Sequence, residues 1–291
     1  MITAPSWLDH SEYPFETRTF AHPDGRINYI DEGRGPIILF VHGTPEWSFG
    51  FRHLVKAFSP THRCIAPDHL GFGLSDKPPG ADYTVRAHSR RLQDLIDHLG
   101  LKDITLVVTD FGGGIGLPHA LEHQANVKHL VLYNTWLWDL MPDKRFSGPT
   151  AIMKSWLGRF LYLRLGFSVN VMMPSAYGDK SKLTKAVHAQ FKNALPDATS
   201  RVATFACVQE IKNAGPFWNE QWKKVDRLKN IPTLICWGMK DRFFPPDLMD
   251  RWKSALPYAV VKTLPETGHF VHEEAKVELT EDIRTFLSTT P

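Results

Sequence analysis

Cysteine is scarce: the chain of 291 residues has three, Cys64, Cys207 and Cys236. None sits in a CxxC pair and an odd number leaves one over, so no disulfide framework is indicated and a reducing, cytoplasmic location is the expectation. Long apolar runs are missing too. No stretch approaches the ~18 uninterrupted apolar residues of a membrane-spanning helix. The opening MITAPSWLDHSEYPF has neither the basic nor the apolar region of a signal peptide. No membrane partner is expected. A surplus of one charge is also absent: 34 Lys+Arg against 31 Asp+Glu gives a net +3. The basic residues are scattered along the chain, which argues against the one-sided footprint of a nucleic-acid binder. HExxH, a P-loop and GxGxxG do not occur.

What is present is the grammar of an α/β protein. An apolar share of 43% with 22% charged residues suits a globular chain, and the length suits one large α/β domain or a core carrying an inserted subdomain. Ile37-Ile38-Leu39-Phe40-Val41 is a continuous apolar run ending at His42-Gly43, the pattern of a strand buried on both faces of a parallel sheet. Strands are predicted also at 27–30, 63–68, 104–108, 129–133, 232–237 and 259–264. Between Tyr83 and Gly100, Leu92, Leu95, Ile96 and Leu99 recur at helical spacing, and 279–287 reads as a closing helix. Alternating strands and helices predict a mostly parallel sheet flanked by helices. Residues 136–222 lack strand signals and are rich in Trp, Leu, Met and Phe. The expected division is therefore a core over 1–135 and 223–291, with a helical cap over 136–222.

The sharpest local signal is Val107-Val108-Thr109-Asp110-Phe111-Gly112-Gly113-Gly114. An apolar strand runs into one polar residue, then glycines, then an apolar helical stretch. The nucleophile elbow has that form, with Asp110 in the nucleophile position. A Gly-rich phosphate loop capped by Asp110 is the alternative, but the spacing fits neither phosphate motif. His42-Gly43-Thr44-Pro45 ends an earlier buried strand, so the backbone N–H groups of Thr44 and Phe111 are expected to converge on one oxygen. Asp241 follows the next-to-last strand and His269 the last. The order Asp110, Asp241, His269 is that of nucleophile, acid and base in hydrolases of this pattern.

Together HGTPEWSFGFR, APDHLGFGLSDKP, VVTDFGGGIG, LICWGMKDRFF and ETGHFVHEE resemble the haloalkane dehalogenase branch of the α/β-hydrolases, over about 25–134 and 228–290. The resemblance implies an α/β-hydrolase fold with an inserted helical cap. It makes Asp110 a nucleophile that attacks an sp³ carbon to give an alkyl ester, His269 the base that activates water, and Asp241 its partner. Asn134, at the end of the sixth strand, lies where a second set of dehalogenases carries the acid nearby; its neighbours offer no carboxylate. No metal or other cofactor is implied, and the partners are a small or medium hydrophobic substrate and water.

In dehalogenases the residue after the nucleophile is usually Trp and the one after His-Gly commonly Asn or Glu, which hold the departing halide. Phe111 and Thr44 stand there instead. Trp136, Trp138 and Trp156 are candidate replacement donors lining the pocket. Two other enzyme classes are similar. Epoxide hydrolases share the Asp–His–Asp order and a motif like His42–Glu46, and use two cap tyrosines, for which Tyr162 and Tyr177 are the candidates. β-Lactone decarboxylases resemble the chain in HRCIAPDHLGFGLSDKP and VLYNT. A ligand receptor on a hydrolase scaffold can also retain the triad. Oligomeric state has no signal in the sequence.

Overall fold

The computed structural model describes residues 5–290. Eight strands form one sheet: β1 (Thr17–His22), β2 (Gly25–Glu32), β3 (Ile37–Val41), β4 (Arg63–Pro67), β5 (Ile104–Asp110), β6 (Val127–Thr135), β7 (Thr233–Gly238) and β8 (Val260–Leu264). Their order is β1-β2-β4-β3-β5-β6-β7-β8. The pairs β1–β2 and β2–β4 are antiparallel and all others parallel. The mostly parallel sheet flanked by helices is therefore as expected. The predicted strands are all present, β2, β5 and β6 running beyond their predicted ends and the other four lying within one residue of theirs.

The helices are α1 (Arg52–Phe58), α2 (Val85–His98), α3 (Gly112–Glu122), α4 (Lys144–Met153), α5 (Trp156–Leu165), α6 (Met173–Ala176), α7 (Lys185–Asn193), α8 (Val202–Asn213), α9 (Gly215–Trp222), α10 (Pro246–Ala255), α11 (Val271–Glu274) and α12 (Lys276–Thr289). The predicted helix between Tyr83 and Gly100 is α2. Its N-cap Thr84 accepts from the Ala87 N–H, and Leu92, Leu95 and Ile96 are buried.

Alternation along the central strands sends side chains to opposite faces. Leu39, Val41, Leu106 and Val108 enter one apolar core, and Ile38, Phe40, Val107 and Val131 the other. Covering both faces leaves the strand ends as the place where polar side chains can emerge into a crevice. Among the described residues, every regular element between β6 and β7 is helical.

Candidate active site

Asp110 ends β5 with φ +50°, and α3 starts two residues later. A positive φ at a non-glycine residue is strained. Here the turn is held by the Thr135 hydroxyl, which donates to the Asp110 carbonyl oxygen at 2.6 Å. Such a turn brings α3 back against its neighbours: a Cβ on Gly112 would lie 2.1 Å from the Val41 carbonyl oxygen.

The loop after β3 supplies the nearest donor. Thr44 N–H donates to Asp110 Oδ1 at 2.8 Å. The other expected donor, Phe111 N–H, makes no hydrogen bond to that carboxylate among the described residues. His42 fixes the loop from behind: its Nε2 accepts the His69 N–H at 3.0 Å, so its proton is on Nδ1, which donates to Gly43 O at 2.7 Å. Burial, and then neighbouring His69, hold the His42 pKa well below its ordinary value, which keeps the ring neutral. Gly43 itself lies against Asp110, and a Cβ there would be 2.1 Å from Oδ1. Gly43→Ala is therefore expected to displace the carboxylate and lower turnover by about 10²-fold. Steady-state rates with the circular dichroism spectrum as control check it.

His269 follows β8, and its N–H donates to Ala176 O at 2.9 Å, which ties it to α6. Its Nδ1 lies 2.7 Å from Asp241 Oδ2, and its Nε2 3.5 Å from Asp110 Oδ2. An ionised carboxylate only accepts, so Nδ1 carries the proton donated to Asp241. Asp241 is itself over-determined. Its Oδ2 also accepts from Asn134 Nδ2 at 2.6 Å, and its Oδ1 accepts the Phe243 and Phe244 N–H groups at 2.7 and 3.0 Å. Asn134 is oriented in turn by accepting the Gly238 N–H at 2.9 Å. Burial by itself would pull the His269 pKa down. The Asp241 charge, aided by hydrogen bonds to Asp110 and Asp241, holds it well above the usual histidine range.

Two further buried pairs fix the segment after His269. His272 Nε2 lies 2.6 Å from Glu46 Oε1, joining it to the Thr44 loop, and Glu273 pairs with Arg52 of α1. Neither pair was foreseen, because their partners are more than 200 residues apart in sequence.

Above Asp110 and His269 lies a cavity of about 440 Å³, walled by Phe146, Met153, Met172 and Phe244. Tyr162 lines it, its hydroxyl 2.9 Å from Met172 Sδ. Thr44 Oγ1 and Ser168 Oγ, also at this cavity, are buried without a hydrogen-bond partner among the described residues. The other aromatic candidates do not line it. Trp138 packs edge-on against Trp222 and Trp252 and lies under the Arg251 guanidinium. Trp156 points outward and is 80% exposed. Tyr177 packs on Phe270, which stands between it and the cavity lining. Trp136 lies behind Phe111, edge-on at 4.8 Å, its buried indole N–H unpartnered among the described residues. Packing decided each case: Trp156 sits on the outer side of α5, while Trp136 and Trp138 in the segment between β6 and α4, and Tyr177 just after α6, are held by their aromatic neighbours. No His/Cys/Asp/Glu group suited to a metal ion occurs among the described residues.

The model of the alpha/beta hydrolase fold family matches residues 36–276. Haloalkane dehalogenase 2 of Mycobacterium tuberculosis is 38% identical over 271 residues, covering 92% of this chain and 93% of that protein. The cis-3-alkyl-4-alkyloxetan-2-one decarboxylase of Shewanella oneidensis is 34% identical over 286 residues, covering 95% and 90%. Among solved structures, the haloalkane dehalogenase DatA from Agrobacterium tumefaciens C58 superposes with a TM-score of 0.84 at 21% identity, over 94% of this chain and 96% of that one. That last likeness speaks to the fold alone.

Proposed function

We propose, for a chain that belongs to the haloalkane dehalogenase-like branch of the α/β-hydrolases, that hydrolysis runs through a covalent ester of Asp110. The observation that carries this reading is the division of labour at one carboxylate. Thr44 N–H holds Oδ1, leaving Oδ2, 3.5 Å from His269 Nε2, to attack. A carboxylate needs no deprotonation and displaces a leaving group from an sp³ carbon directly. Oδ2 forms the new C–O bond as the carbon–halogen bond breaks, and the halide leaves with the electron pair. His269 Nε2 then takes a proton from water, whose oxygen attacks Asp110 Cγ. Thr44 N–H stabilises the charge that develops on Oδ1, and the Cγ–Oδ2 bond breaks. The alkoxide takes the imidazolium proton and departs as an alcohol, and the carboxylic acid left at Asp110 gives its proton to solvent, which restores the carboxylate. Asp241 keeps His269 in the required tautomer. The helical segment 136–222 acts as the cap, and its apolar lining favours a small or medium hydrophobic substrate.

A second reading is favoured by Phe111. It offers no hydrogen to a departing halide, and the nearby Trp136 indole is shielded behind it. In a β-lactone the leaving group is the substrate's own carboxylate, which stays bonded after Asp110 attacks the alkyl carbon. Loss of CO₂ with return of the electron pair to Asp110 would release an alkene. The 34% identical decarboxylase supports this alternative. An epoxide substrate is less well served, since Tyr162 reaches the cavity and Tyr177 does not.

The test measures bromide release from bromoalkanes alongside CO₂ release from cis-3,4-dialkyl-β-lactones. Bromide release with inert lactones supports the first reading, and the converse supports the second. Phe111→Trp is expected to raise bromide release by about 10²-fold, as recovery of one charge-stabilising donor does at comparable sites. No change would reject Phe111 as the limit on halide departure.

The proposed mechanism also has a pH signature. The base works only as neutral imidazole, so ester hydrolysis should rise with pH through the His269 pKa. Esterification removes the Asp110 charge, one of the groups that raise that pKa, while Asp241 remains. The midpoint for single-turnover hydrolysis is thus expected below the His269 midpoint titrated by NMR in the free enzyme. A midpoint at or above it would reject this account.

A further inference from the structure

Exposed apolar side chains are unevenly distributed over the molecule. Of nine large hydrophobic residues exposed among those described, six fall within 152–171: Ile152, Trp156, Leu157, Phe160, Leu165 and Val171. Helix α5 carries three of them on its outer side. Trp156, Phe160 and Arg164 follow at i, i+4 and i+8, one ridge along a helix, with Leu157 beside it. The opposite side buries Gly158 and Tyr162. A helix apolar on both sides has one side still unpartnered.

The charge of this segment is equally one-sided. Residues 144–178 contain Lys144, Arg145, Lys154, Arg159 and Arg164 and no Asp or Glu, so the remainder of the chain carries a net negative charge. Arg145 is paired with Asp143 and Asp247. Lys154, Arg159 and Arg164 are exposed, and none forms an ion pair among the described residues. Lys154 bonds Asn213 Oδ1 at 2.8 Å, a neutral partner.

We propose that the outer face of α5, with Trp156, Leu157 and Phe160 flanked by Lys154, Arg159 and Arg164, docks on an anionic lipid bilayer. Exposed Trp, Phe and Leu beside unpaired cations is the composition of a helix that lies in the headgroup region, and the cations match the negative surface potential of such a membrane. A second copy fits less well, because a two-fold contact would set the same cations against each other. Among the described residues, no helix is long and apolar enough to cross a membrane. The expectation of no membrane partner was drawn from the lack of a spanning segment, and surface docking needs none. Docking also has a use here: Met153 and Tyr162, just before and within α5, line the cavity above Asp110, so an apolar molecule dissolved in the bilayer would meet the enzyme beside its binding site. The surface itself does not depend on the chemistry proposed for Asp110.

The experiment is co-sedimentation of the full chain with phosphatidylcholine vesicles, with and without phosphatidylglycerol, at low and high salt. Binding is expected with phosphatidylglycerol and at low salt. The double substitution Trp156→Glu/Phe160→Glu and the triple substitution Lys154→Glu/Arg159→Glu/Arg164→Glu should each weaken it by at least about tenfold. Retained circular dichroism spectra show that both variants fold. Equal sedimentation with and without phosphatidylglycerol would overturn the proposal, as would undiminished binding by both variants. A dimer detected by light scattering and abolished by the double substitution would assign the face to a second copy instead. Sedimentation requires no turnover, so its failure is distinct from failure of the Asp110 mechanism.

Discussion

His269→Phe is expected to yield an enzyme that reacts once and stops. The first half-reaction uses the Asp110 carboxylate and needs no base. The second needs a proton removed from water, and losing a positioned general base typically costs 10²–10⁴-fold. The local structure tolerates the change. His269 already sits among Phe243, Phe244 and Phe270, with ring centroids at 5.7, 5.3 and 5.0 Å, so a phenyl ring meets an aromatic surround. Asp241 loses one donor but keeps Asn134 and two backbone N–H groups, and no buried carboxylate is orphaned. Intact mass spectrometry after incubation then identifies the electrophile. A bromoalkane leaves its alkyl group on Asp110 and bromide in solution, whereas an epoxide adds its full mass. A β-lactone that decarboxylates consumes no water, so it should still turn over in this variant and leave no lasting adduct. No adduct and no turnover with all three would reject Asp110 as the nucleophile toward any of these electrophiles.

How far the sequence foretold this arrangement depended on whether a feature was local. Strands β3, β5 and β7 are covered on both faces, so burial wrote them as unbroken apolar runs. Strand β1, TRTFAH, lies at the sheet edge and is buried at no position, so it left little trace. Helix α1 was hidden because its seven residues make only two turns, too few for a helical repeat of apolar residues to stand out. The convergence of Asp110, Asp241 and His269 on one crevice was legible because each stands at or after the end of a recognisable strand. Asn134 was legible by resemblance alone, as the residue near which a second set of dehalogenases carries the acid. Its actual contact, the clamp on Asp241, joins residues 107 apart in sequence, which no local pattern encodes. The cap aromatics were the least legible. Trp138 and Trp156 have the same composition signal, yet Trp138, in the segment after β6, is packed edge-on against Trp222 and Trp156, on α5, faces solvent, because tertiary docking decides the matter.

That clamp sets the outcome of Asp241→Asn, expected to slow ester hydrolysis by about 10³–10⁴-fold while leaving ester formation within a few-fold. The amide that replaces the carboxylate has one oxygen and one NH₂. Two backbone N–H groups, from Phe243 and Phe244, point at the present Oδ1 position, so the amide oxygen must lie there. The NH₂ group then takes the Oδ2 position, facing His269 Nδ1 and Asn134 Nδ2. Donor would meet donor at both. The imidazole can answer by moving its proton to Nε2, which lets Nδ1 accept but turns an N–H toward Asp110 and the water. That tautomer cannot take a proton from water. Asn134 cannot answer by flipping without giving up the Gly238 N–H that its oxygen accepts, so the misfit is borne at the base. Asp110 keeps its Thr44 N–H throughout and should alkylate at near-normal rate. Rapid-quench measurement of the two half-reactions separates these effects, with the Asp110 ester accumulating in the variant. Equal slowing of both steps would mean that Asp241 positions the nucleophile as well as the base, and unchanged hydrolysis would remove it from the mechanism.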